Sequence, residues 1–208
     1  MLQTQTIEPG TLSLLEQLMD LPSLQEFCLV GGTALALKYG HRISVDLDLF
    51  CNKEFNKEQI VTELMQTFGK NLLYENTRAS WAIFCYIHNV KVDIIHYKHL
   101  QIFTTEVEDG CRLYHSLDLM AMKVNAILGR GKKKDFWDMA ELLQHYTITE
   151  CIEAHSKKYP NQQLLISIPN ALTYFTDADE SEEPVSLKGQ TWASVKKILQ
   201  QKVNDYLR

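Results

Sequence analysis

The sequence predicts an α/β domain followed by C-terminal helices, and three observations predict it. The apolar run Phe27-Cys28-Leu29-Val30 reads as a strand. It meets Gly31-Gly32 and then Thr33-Ala34-Leu35-Ala36-Leu37, a good helix former, so strand turns directly into helix. Residues 43–50 read as the next strand, with Ile43, Val45, Leu47 and Leu49 on one face and Ser44, Asp46, Asp48 and Phe50 on the other. From Ser116 onward the apolar spacing becomes helical.

Taken in order, Thr11 to Asp20 reads as an amphipathic helix ended by Pro22. Asn56 caps the next helix, with Gln59 at its third position as in a capping box, and that helix runs to Phe68 before Gly69. Residues 71–77 are predicted as a strand. Trp81–Ile87 and Val90–His96 flank His88-Asn89, a connection of hairpin length, and Asn89 tolerates the positive φ such a turn needs. In the second strand Val90, Val92 and Ile94 share one face, Lys91, Asp93 and Ile95 the other. Ser116 is the expected N-cap of a helix over Leu117–Leu128. Gly129-Arg130-Gly131 breaks it, and Lys133–His145 forms a second helix. Thr149 to Arg208 reads as helical, with a loop around residues 177–190. Two regions are expected: 1–112 as the catalytic domain and 113–208 as a helical region completing its site.

Composition narrows the class. The 208 residues, 45% hydrophobic and 23% charged, suffice for one domain with a buried core. No apolar run reaches the roughly 18 residues of a membrane span. The N-terminus lacks the basic and apolar regions of a signal peptide, so a cytoplasmic protein is expected. Five scattered cysteines with no Cys-x-x-Cys are expected to be reduced thiols that pack as small hydrophobes. His96-x-x-His99 has no cysteine partner and is a poor metal site. A net charge of −5 argues against a broad nucleic-acid surface. Residues 123–134 nevertheless carry Lys123, Arg130, Lys132, Lys133 and Lys134 without an acid, a local patch suited to an anionic substrate. The acidic run 177–183 reads as a solvated loop.

The chemistry concentrates in residues 30–50. Asp46 and Asp48, read as strand neighbours on one face, lie roughly 7 Å apart, a spacing that can share one or two divalent cations through hard oxygen ligands. Gly31 and Gly32 leave a helix N-terminus without side chains, where backbone N–H groups and the dipole favour a phosphate. Nucleotide transfer needs both parts. Each part alone has a structural explanation, the acids as a solvated strand face and the glycines as a turn. Their coupling, with thirteen residues between Gly32 and Asp46, is what points to function. Asp93 becomes a third carboxylate if its strand lies beside 43–50; otherwise it is a strand residue paired with Lys91. Lys123 and Arg130 share a helical face, as do Asp135 and Asp138, although each taken singly also suits a helix surface.

In that order, Gly31-Gly32, Asp46-x-Asp48, Asp93, Lys123 with Arg130, and Lys134-Asp135-x-x-Asp138 resemble the motifs of the AbiEii/AbiGii toxin family of the polymerase β-like nucleotidyltransferase superfamily. The phrase Gly-His-Arg-Ile-Ser-Val-Asp-Leu-Asp-Leu-Phe at 40–50 is especially similar, and the resemblance covers roughly residues 24–145. It implies a mixed-sheet nucleotidyltransferase fold, α/β, followed by C-terminal helices. It implies a catalytic set of Asp46, Asp48, Asp93, Lys123 and Asp135, of which Asp46, Asp48 and Asp93 bind Mg²⁺, two ions in all. Gly31, Gly32, Thr33, Arg42, Ser44, Lys123, Arg130 and Asp138 form the expected nucleotide-binding set. The implied activity is transfer of NMP from an NTP to an acceptor hydroxyl, on tRNA or another RNA, by a toxin with a cognate antitoxin and no membrane partner. Two departures stand out: Gly-Gly replaces the frequent Gly-Ser, and no hydroxyl residue lies between Lys123 and Arg130. Two other functions remain open on the residues: the same transfer to a small molecule such as an aminoglycoside, suited to the acidic balance, and a non-catalytic nucleotide-binding module.

Overall fold

The computed structural model describes residues 1–208. A helix α1 (Pro9–Asp20) leads into β1 (Cys28–Val30), α2 (Gly31–Tyr39) and β2 (Leu47–Cys51). Then come α3 (Lys57–Phe68), β3 (Leu72–Tyr74), the hairpin of β4 (Ala82–Ile87) and β5 (Val90–His96), and the short pair β6 (Glu106–Glu108) and β7 (Cys111–Leu113). The remainder is helical: α4 (Ser116–Gly129), α5 (Lys133–His145), α6 (Ile148–Lys158), α7 (Ile168–Thr173), α8 (Thr176–Asp179) and α9 (Trp192–Tyr206). The seven strands form one mixed sheet in the order β3-β4-β5-β2-β1-β7-β6. β2–β5 and β1–β7 are parallel, and the other pairs are antiparallel.

The local chemistry explains the elements. Asn56 caps α3 by accepting from the Gln59 N–H at 3.1 Å, which satisfies one donor left open at the helix start. His88 and Asn89 both adopt positive φ, 51° and 64°, as a two-residue hairpin turn of this hand demands. Val92 and Ile94 of β5 face the core with Ile83, Cys85 and Ile87 of β4, while Asp93, Phe84 and Tyr86 point to the opposite face. One hydrophobic core of 50 buried residues runs from Leu2 to Val203, so strands and C-terminal helices share it. All five cysteines are unbridged and buried. No helix is long and apolar enough to cross a membrane.

Four expectations need correction. The strand predicted over 43–50 begins only at Leu47, because the Ile43 N–H bonds to the Val185 carbonyl and the Ser44 N–H to that of Thr6, tying this segment to loops instead of the sheet. Val45 is accordingly exposed, and Asp46 precedes the strand. The strand expected over 71–77 shrinks to Leu72–Tyr74, its pairing to β4 ending at Tyr74–Cys85. The cap of α4 is His115, whose Nδ1 accepts from the Leu117 N–H at 3.1 Å. Ser116 lies inside the helix and its hydroxyl binds Tyr39. The acidic run expected as a solvated loop over 177–183 begins inside a helix: Thr176–Asp179 form α8, anchored by Ala178 in the core, and Asp179 accepts from the Trp192 indole at 2.6 Å.

Candidate active site

The site grows from β2, β5 and the β1–α2 junction. β2 and β5 run parallel with Asp48 opposite Asp93, and neighbouring strands lie about 4.8 Å apart, so two carboxylates face each other across the sheet. Burial first, and then Asp93, push the Asp48 carboxyl above the usual carboxylate range. Asp93 Oδ2 accepts from Lys91 Nζ at 2.5 Å, while its Oδ1 is buried without a partner. Lys91 is partly buried, which opposes its charge. Its bond to Asp93 and the fields of Asp48 and Asp46 outweigh this and hold the ammonium above its usual range. Asp46 lies just ahead of the strand, and its backbone carbonyl accepts from the Thr33 hydroxyl. Thr33 and Ser44 pair their hydroxyls at 2.8 Å, which fastens the first turn of α2 to the segment carrying Asp46. Asp46, Asp48 and Asp93 share this end of the sheet, with Lys91 among them, and no three acidic, imidazole or thiol groups close into a ligand cluster.

The glycines sit where only glycine fits. Gly31 has φ +71°, and a β-carbon there would lie 2.5 Å from Asp48 Oδ2. A β-carbon at Gly32 would lie 2.1 Å from Arg42 Nη2. The α2 N-terminus is therefore pressed between the Asp48 carboxylate and a buried guanidinium. Gly31→Ala forces Asp48 aside and imposes a left-handed conformation that costs about 1–2 kcal/mol. It is expected to lower the melting temperature by several degrees and nucleotide transfer at least about tenfold, measured by calorimetry and an initial-rate assay.

Behind the glycines lies a buried ionic layer. Asp138 is fully buried. Its Oδ1 accepts from Arg42 Nε at 2.6 Å and lies 2.8 Å from His41 Nε2. Its Oδ2 meets Arg42 Nη2 at 2.9 Å and Lys123 Nζ at 2.6 Å. Asp135 takes Lys123 Nζ at 3.0 Å and Arg130 through Nε at 3.2 Å and Nη2 at 3.3 Å. Burial alone would raise the Asp138 carboxyl, but Arg42 and Lys123 overcome it and hold it well below the usual range. Lys134 is half-buried nearby; burial first, then Arg130 and Lys123, hold its ammonium below the usual lysine range. The resulting layer places three cations against two carboxylates, with Lys134 adjoining, beneath a helix N-terminus. Arg130 remains the exposed member of the set.

The structure thus gathers Gly31, Gly32, Thr33, Arg42, Ser44, Asp46, Asp48 and Asp93 at the sheet end, and Lys123, Arg130, Asp135 and Asp138 behind and beside them. Asp135 and Asp138 spend their oxygens on cations. His41, which also reaches Asp138, carries no sequence signal beyond its place before Arg42, and in the sequence Lys91 reads only as a partner of Asp93.

Residues 13–197 match the family described as "Nucleotidyl transferase AbiEii toxin, Type IV TA system". An uncharacterised protein of Aquifex aeolicus, aq_aa25, is 30% identical over 200 residues, 93% of this chain and 94% of that one. In structure, the chain is similar to the nucleotidyltransferase toxin MenT4 of Mycobacterium tuberculosis H37Rv, with TM-score 0.62 and 13% identity over 94% of this chain and 82% of that one. It is also similar to a candidate nucleotidyltransferase from H. pylori, with TM-score 0.54 and 16% identity over 97% and 99% of the two chains. The chain belongs to the AbiEii nucleotidyl transferase toxin family and is a nucleotidyltransferase.

Proposed function

We propose that this nucleotidyltransferase moves NMP from an NTP to an acceptor hydroxyl on RNA, tRNA first among candidates, in a Mg²⁺-dependent reaction. In the cell it would act in the cytoplasm as a toxin held in check by a cognate antitoxin. The observation that carries this reading is the in-register pair Asp48 and Asp93, with the Gly31 end of α2 lying directly on Asp48.

The residues fit a hard divalent cation. Asp46, Asp48 and Asp93 bring carboxylate oxygens to the sheet end, and Asp93 Oδ1 is buried and unpartnered. Asp46, Asp48 and Asp93 would hold the metal, as one or two ions. Bound there, Mg²⁺ would neutralise the carboxylates and lend positive charge to the phosphate oxygens.

The chain's own groups supply the rest. Backbone N–H groups of Gly31, Gly32 and Thr33 at the start of α2 offer donors to the triphosphate. The acceptor oxygen forms a bond to the α-phosphorus as the bond to the pyrophosphate oxygen breaks, and the hydroxyl proton passes to Asp93. Lys123 and Arg130 stabilise charge gathering on the departing pyrophosphate. Asp135 and Asp138 act as positioning residues: they hold Lys123, Arg130 and Arg42 in place without touching the nucleotide. Ser44 works likewise, through Thr33.

The test is incubation with each α-labelled NTP, Mg²⁺ and total cellular RNA, beside Asp46→Ala/Asp48→Ala. Label in a tRNA-sized band from the intact protein alone is the expected result. Label transferred to an aminoglycoside and to no RNA would replace the acceptor. NTP binding with no turnover on any acceptor would overturn the catalytic reading.

A further inference from the structure

The strand face beyond Asp93 is bare, and it is aromatic. Across the hairpin Phe84 pairs with Asp93 and Tyr86 with Lys91, and Leu73 of β3 pairs with Tyr86, so all five side chains rise from the same face of the sheet. Phe84 is 38% exposed, Tyr86 49%, Leu73 62%, and Trp81, set edge-on to Phe84 at 6.2 Å, is 52% exposed. Apolar side chains on this scale normally sit under a helix, and here none covers them. Leu73, Phe84 and Tyr86 line a cavity of about 550 Å³ together with Tyr74, Lys91 and Asp93 itself. That cavity shares Tyr74 and Thr77 with a second, about 710 Å³, between α3 and the β3–β4 connection. Lys57 and Arg78 line the second cavity; Lys57 Nζ is held by the Thr77 and Ala79 carbonyls at 2.8 Å and sits over the Tyr74 ring at 5.9 Å.

The geometry points to an acceptor track: the unpaired 3′ end of an RNA lies along this face, its bases stacked on Phe84 and Tyr86 and its terminal hydroxyl at Asp93. The inference rests on the nucleotidyl transfer proposed above and names how that same site takes its acceptor. Four observations select this occupant. The track is continuous with the carboxylate to which the acceptor hydroxyl must come. Phe84 and Tyr86 alternate along one strand, roughly 7 Å apart, about two base-stacking steps. Lys91 supplies the cation of this cavity, against Glu75. Finally, the chain's net charge of −5 makes affinity through phosphates alone weak, so a nucleic acid bound here needs the rings. Base–aromatic stacking is sequence-tolerant but demands unpaired bases. An RNA end with a single-stranded tail therefore binds, and a blunt duplex does not.

Fluorescence anisotropy tests this with a short labelled single-stranded RNA carrying a free 3′-hydroxyl, compared with a blunt RNA duplex. The proteins are the full chain, Phe84→Ala, Tyr86→Ala, the double variant and Tyr86→Trp. The full chain is expected to bind the single strand at least tenfold tighter than the duplex. Each alanine variant is expected to lose about tenfold, the double variant more, and Tyr86→Trp to retain binding. Binding of a fluorescent NTP analogue is expected to be unchanged in all of them, because these rings lie beyond Asp93, away from the α2 N-terminus. Equal affinity of the alanine variants and the full chain for the single strand overturns the track and leaves the face to a protein or a small molecule. Equal affinity for duplex and single strand overturns it as well. Transfer to RNA is scored separately: its absence in the full chain refutes the transfer reading, while the binding ratios still decide the track. Both rings are exposed, so circular dichroism and melting are expected to match the full chain, and Tyr86→Trp guards against a folding artefact.

Discussion

Asp48→Asn is expected to reduce nucleotide transfer by about a hundredfold to a thousandfold while leaving the melting temperature unchanged or higher. The two halves of this expectation have one cause. Asp48 is mostly buried and stands beside Asp93, and both burial and that neighbour disfavour its charged form. A carboxylate held in this way destabilises the fold when ionised, so a neutral amide of the same shape relieves the fold. In the proposed mechanism the same substitution also removes one of the carboxylates that would hold the cation, leaving Asp93 with the Lys91 ammonium. Loss of activity with loss of stability would show instead that Asp48 is structural. Initial rates of NMP transfer and calorimetric melting, run on the same preparation, separate the two.

Asp138→Ala has the opposite signature. Removing this carboxylate leaves Arg42 and Lys123, both buried, without a shared partner, and breaking a buried ion pair from one side costs about 3–5 kcal/mol. That is a large share of the stability of an ordinary domain, so urea unfolding is expected to shift its midpoint far down or to show a partly unfolded protein. The pH dependence follows from the direction of the carboxyl's shift. Its folded value lies well below its unfolded one, so its contribution is fully present above the usual carboxylate range. It is lost as pH falls below about 4 towards the folded value. Wild-type melting temperature is therefore expected to drop in that acid window, and Asp138→Asn to flatten that part of the curve. An unchanged acid profile in the asparagine variant would remove Asp138 from the account.

Much of the site was legible because its parts are local. The hairpin could be read from two alternating runs with Asn89 between them, and that reading put Asp93 on the open face. The cap at Asn56 and the helix Lys133–His145 follow from short-range signals of the same kind. Most of the failures come from long-range partners. Residues 43–46 alternate like a strand, yet their N–H groups bond to Thr6 and Val185, partners 38 and 142 residues away that no window can see. The cap at His115 was missed because imidazole is a rare capping group. Asp135 and Asp138 were visible as a helical face, but Asp138's partner Arg42 lies nearly a hundred residues earlier. A long-range ion network leaves no periodic trace.

The five thiols give the molecule a built-in clock. All are buried, and burial pushes the Cys85 and Cys151 thiols up to about 12, with Cys28, Cys51 and Cys111 shifted in the same direction. At neutral pH the folded chain therefore carries almost no thiolate, the form that reacts. Cys28 is on β1, Cys51 ends β2, Cys85 is on β4, Cys111 on β7 and Cys151 on α6, so each sulfur stands watch over a different element. An alkylating reagent advances at each position only when that element opens, and mass spectrometry of the peptides reads five local opening rates from one protein without any engineered probe.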